Sequence, residues 1–109
     1  MAATPVYVQQ PVFDEVLSHS AKTVAVTGTA VPLSSTSVPC IEVLIQVKEN
    51  NTHKIYVGGA SVPNDGSAGI LLAVPIAGTT PSSIPLSARN LSQVYINGTA
   101  GEGVNFIYW

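Results

Sequence analysis

Leu91-Ser-Gln-Val-Tyr-Ile-Asn-Gly-Thr-Ala-Gly-Glu-Gly-Val-Asn-Phe-Ile-Tyr-Trp109 holds two strand-like runs separated by a glycine-rich turn. Val94 and Ile96 alternate with Gln93, Tyr95 and Asn97, and Val104, Phe106 and Tyr108 alternate with Asn105, Ile107 and Trp109. That period of two belongs to strands with two unlike faces. Asn97-Gly98 and Gly101-Glu-Gly103 tolerate positive φ, so the stretch predicts a β-hairpin. Both faces of its second run are apolar. Val104, Phe106 and Tyr108 suffice for the inward side, so Ile107 and Trp109 need a separate cover, and the outer face of this strand is expected to mediate self-association.

Upstream, the same period recurs. In Cys40-Ile-Glu-Val-Leu-Ile-Gln-Val-Lys48 the odd positions Ile41, Val43, Ile45 and Val47 share a face, with Glu42, Gln46 and Lys48 opposite, joined there by Leu44. Glu49 to Thr52 reads as a turn and His53 to Gly58 as a return strand with Ile55 and Val57 inward, which predicts a central hairpin. Lys22 to Thr27 is β-branched and stops at Gly28, and Ala30 to Leu33 suits a short edge strand because Pro32 denies one ladder hydrogen bond. Asn64-Asp65-Gly66 marks a turn before the wholly apolar Ile70 to Val74, and Ile84 to Leu86 reads as a short strand or bridge. Seven or eight short antiparallel strands without a useful helical period predict an all-β fold. A single jelly-roll-like β-sandwich is the version that fits 109 residues.

The organisation expected is an extended N-terminal arm over residues 1–20 followed by the sandwich over 21–109. Pro5 and Pro11 remove backbone donors and hold their predecessors extended. Phe13, Val16 and Leu17 allow one helical turn at most. The arm is apolar at Val6, Val8, Val12 and Phe13, so it either packs on its own domain or reaches for a neighbour.

Charged residues make up 9% of the chain, against roughly 25% in ordinary soluble domains. Proline and glycine interrupt every apolar run well short of the roughly 20 residues of a membrane helix, so no membrane partner is expected. A net charge of −2 and four cations, Lys22, Lys48, Lys54 and Arg89, give no phosphate track, so no nucleic-acid partner is expected either. Cys40 is the one cysteine, which rules out an intrachain disulfide and suits a small buried hydrophobe. The N-terminus lacks a basic and apolar leader pattern, so synthesis in a cytoplasm is expected.

No catalytic, cofactor-binding or metal site is expected. His19 and His53 stand beside Ser or Thr without a nucleophile motif, and His19, His53, Asp14, Glu15 and Asp65 show no ligand spacing. Gly58-Gly59 and Gly101-x-Gly103 precede no helix, which makes them turn glycines rather than a phosphate cradle.

Val38-Pro39-Cys40, Ile55-Tyr56-Val57-Gly58-Gly59, Leu91 to Gly98 and the closing Gly101 to Trp109 together resemble small structural proteins of tailed bacteriophages over about residues 22 to 109. The size and the leading arm are similar to head decoration, or cement, proteins. The resemblance implies a non-enzymatic virion protein on the capsid exterior, made in the host cytoplasm, with the major capsid protein and its own copies as partners, a trimer being preferred because such proteins often occupy threefold sites. A tail-tip or fibre module binding host glycan or protein is the alternative. With 6% aromatic residues the chain is poorly supplied for glycan stacking, so the coat reading is preferred.

Overall fold

Among the described residues, eight strands fold into two antiparallel sheets, and no strand pairs with the one before it except at the fourth and fifth. A computed structural model describes residues 17–109. The strands are β1 (Ser18–Thr23), β2 (Val31–Pro32), β3 (Glu42–Val47), β4 (Ile55–Gly58), β5 (Ile70–Leu72), β6 (Ser83–Ser87), β7 (Tyr95–Gly98) and β8 (Gly103–Tyr108), with one 3-10 turn at Leu91–Gln93. One sheet has the order β1-β8-β3-β6 and the other β2-β7-β4-β5.

Their inner faces meet in one core. Val43, Ile45 and Val47 of β3 and Val104 and Phe106 of β8 come from one side, and Ile55, Val57, Leu72 and Ile96 from the other. The odd positions of β3 point inward as expected, apart from Ile41, which precedes the strand and is 51% exposed. Ile55 and Val57 are inward too. Cys40 is half-buried against the core and donates from Sγ to the Ala88 carbonyl at 3.0 Å, and burial raises its thiol pKa.

Neither expected hairpin forms. β3 and β4 lie in different sheets, and so do β7 and β8, so the segments joining them are corners rather than hairpin turns. The expected alternation holds in β3, β4 and β8, but it is satisfied equally well when consecutive strands cross from one layer to the other. Two buried asparagines hold these corners. Asn51 Nδ2 donates to the Gly103 carbonyl at 2.8 Å and its Oδ1 accepts the Gly103 amide at 3.1 Å. Asn97, expected on an outward face, is 2% exposed and donates to the Val62 and Gly28 carbonyls while accepting the Gly98 amide at 2.7 Å. A Cβ on Gly103 would run into the Lys22 carbonyl and, at 3.1 Å, the Thr23 Cα, so this glycine is what lets β8 start against the end of β1.

β1 also starts earlier than the strand expected at Lys22 to Thr27. It covers Ser18–Thr23, so its first three residues fall in the expected arm, and it pairs with β8 from Ser18↔Tyr108 to Thr23↔Gly103. Its polar sequence has no strong strand signal of its own, and the β8 edge supplies the ladder that propensity does not. Ile84 to Leu86 is the middle of a full strand, β6.

Candidate functional site: an apolar groove on an outer sheet face

Because Val43, Ile45, Val104 and Phe106 point inward, the residues between them are left on the outer face of the β1-β8-β3-β6 sheet. The register lines up His19, Ile107, Leu44 and Pro85 as one row across the sheet, and Ala21, Asn105, Gln46 and Ser83 as the next. The two rows enclose an open groove of about 420 Å³ with a predominantly apolar wall. Ile107 and Leu44 form its floor, both half-buried, with His19 and Ala21 exposed on one rim and Ser83 on the other.

Of the residues expected to make contacts, Ile107 therefore lies on this groove. Trp109 continues the same strand beyond β8. Its amide donates to the Glu42 carbonyl at 3.2 Å and its carbonyl accepts the Ile41 amide at 2.6 Å, so it is tied to β3 and half-buried. Val6, Val8, Val12 and Phe13 lie outside the described residues. Leu44 completes the floor; its signal was the single apolar residue among Glu42, Gln46 and Lys48 on the outer side of β3.

A second cluster sits at the corners. Glu102 Oε1 accepts from Thr52 Oγ1 at 2.7 Å and faces His53 Nδ1 at 3.1 Å, while Oε2 accepts the Thr52 amide at 3.0 Å. Burial alone would raise the Glu102 carboxyl, but the hydrogen bonds from Thr52 and His53 outweigh it and hold its pKa below the ordinary value. The imidazole nitrogen facing Glu102 is also the one 3.0 Å from the Thr52 hydroxyl. A relay that activates a hydroxyl needs the carboxylate and the hydroxyl on opposite ring nitrogens, so this geometry fastens two corners together. Forty-nine residues separate His53 from Glu102, and no sequence motif links them. Among the described residues no group of three His, Cys, Asp or Glu is placed to hold a metal ion.

A third feature is the run from Ile70 to Ile76. Ile70 and Leu71 are about half exposed, at 49% and 48%, Val74 is exposed, and Ile76 reaches 71%. Compared with family models, curated proteins and solved structures, the chain finds no match.

Proposed function

We propose that the chain is a structural subunit of a bacteriophage virion, a decoration (cement) protein that binds the major capsid protein on the outer head surface and stabilises the shell. The observation that carries this reading is a surface sparse in charge, with 9% charged residues in the chain, that exposes apolar side chains. The Ile107–Leu44 groove and the exposed Ile41, Ile70, Leu71, Val74 and Ile76 lie on one small domain, and apolar surface on that scale is the mark of contacts with other proteins. Apolar surface from the arm, at Val6, Val8, Val12 and Phe13, and from the last strand, at Ile107 and Trp109, is buried between copies and against the shell, with a trimer as the preferred assembly.

In this reading the sandwich is a jelly roll. The pairings β1 with β8, β2 with β7, β3 with β6 and β4 with β5 are those of a long folded ribbon wrapped into two sheets, an architecture that capsid proteins share with lectins and cupins. Shared architecture does not assign a role, so the surface carries the proposal.

Purified protein mixed with undecorated heads and imaged by electron microscopy tests it. Many copies should distribute over the head, and Ile107→Lys should reduce occupancy while far-ultraviolet circular dichroism keeps its strand signal. Binding confined to a tail tip, or no binding to heads, overturns the reading.

A further inference from the structure

Where the two sheets end side by side, the sandwich is open. β6 closes one sheet and β5 the other, so no ladder joins them, and a cleft of about 510 Å³ runs in between the layers. Gly58, Gly69 and Ile70 wall it on one side and the half-buried Leu86 on the other, and its floor is Val57 and Val94, both buried members of the core. Small-molecule sites are apolar clefts of roughly 300–1,000 Å³ with a few polar groups, and this one fits that range. Two of its wall residues have to be glycine. A Cβ on Gly58 would stand 3.0 Å from Val62 and one on Gly69 2.7 Å from it, so neither position can offer a side chain to fill the cleft.

Arg89 is the one charged residue on the cleft, and the amide of Gln93 lies on it too. Both side chains are exposed. The base of the arginine is fixed, because its carbonyl accepts the Cys40 amide at 3.0 Å. Its guanidinium makes no ion pair among the described residues, not even with Glu42, which shares the neighbouring hollow with it. An apolar slot that ends at a single unpaired cation is complementary to an apolar chain that ends in a single anion.

We propose that this cleft binds a single-chain amphiphile with a carboxylate head, the chain lying between the sheets on Val57, Leu86 and Val94 and the head at Arg89 and Gln93. This goes beyond the virion reading and does not depend on it. Shape selects the occupant together with charge. A neighbouring protein presents a broad surface, which can meet an outer sheet face such as the Leu44–Ile107 groove, whereas the floor here lies beneath the edges of two sheets. Only a narrow chain reaches it. Its insertion takes apolar area of both partners out of water, and the planar guanidinium offers the carboxylate two parallel hydrogen bonds.

Calorimetric titration of the full chain with dodecanoate, below its micelle concentration, tests the proposal, with methyl NMR to locate the ligand. Binding should saturate, and the shifted methyls should be those of Val57, Leu86 and Val94. Dodecyltrimethylammonium, which has the same chain and a cationic head, should bind about tenfold more weakly or worse. Arg89→Glu should weaken dodecanoate by about tenfold or more with unchanged circular dichroism, since the side chain it replaces is exposed. Gly59 also lines the cleft, lacks a positive φ and would have nothing within 4 Å of an added Cβ, so Gly59→Phe should fold normally and block binding. Shifts confined to Leu44 and Ile107 would put the ligand in the outer groove. Equal affinity for the two heads, or unchanged affinity in Arg89→Glu, would mean that no head group is read. Any of these results, a Gly59→Phe chain that binds like the wild type, or the absence of saturable binding overturns the proposal.

Discussion

The corner region around Asn51 and Gly103 and the stretch from Ala73 to Thr80 are built in opposite ways. At the corners, side chains bond to distant backbone: Asn51 to Gly103, Glu102 to Thr52, and Ala100, whose amide donates to Thr27 Oγ1 at 2.9 Å. In the other stretch, Thr79 bonds only to the nearby Ile76 carbonyl, through both its amide and its hydroxyl, and Val74 and Ile76 are open to solvent. The first region holds the two sheets in register. The second contributes little to this and leaves its apolar side chains free for contact. Stability is therefore concentrated at one part of the sandwich and interaction capacity at another.

Identical chemistry at the two places gives the sharpest contrast. Ile55→Ala at the fully buried corner should cost about 4 kcal/mol in urea unfolding, whereas Ile76→Ala, at 71% exposure, should stay within about 0.5 kcal/mol. Comparable losses would mean that the Ile76 stretch belongs to the domain's own core. Gly103→Ala should cost about 3 kcal/mol, because the new Cβ meets the Lys22 carbonyl and the β1–β8 ladder has to separate there. Asn51→Ala should cost about 2 kcal/mol by stripping the Gly103 amide of its partner, and a neutral result would break the claim that this side chain fastens the corner.

Glu102→Gln should have the smallest effect at the corners, about 1 kcal/mol at neutral pH. The folded-state pKa of Glu102 is depressed, so its contribution is fully present above the ordinary glutamate value of 4.5 and is lost as acidification passes through the lower folded value. The stability difference between wild type and Glu102→Gln should accordingly shrink toward zero on going to acid. A difference that stays constant across that range would show that the carboxylate charge plays no part.

Much of the strand pattern was legible. β3 and β4 appear within two residues of the expected limits, Pro32 marks an edge, and the Asn64-Asp65-Gly66 turn is present, with Gly66 at φ 81°. Two strands were harder. β1 is polar and exists because β8 offers it an edge, and β6 carries Pro85, which weakens its local signal. Half of the candidate groove was legible as well: Ile107 and Leu44 both break an outer polar pattern, but their adjacency depends on β3 lying next to β8, sixty residues away in sequence. The Thr52–His53–Glu102 cluster gave no local signal.

The sequence by itself determined the all-β class, the inward residues of β3, β4 and β8 and the surplus of apolar side chains, because alternation and turn chemistry are local properties of the chain. Only the tertiary structure decided which strands pair, that the two expected hairpins are corners, and that Asn51 and Asn97 are buried clamps. The physical reason is that a period-two pattern states which side of a strand faces the core and says nothing about which neighbour completes its ladder. That choice is made by long-range hydrogen bonds and packing between segments far apart in sequence.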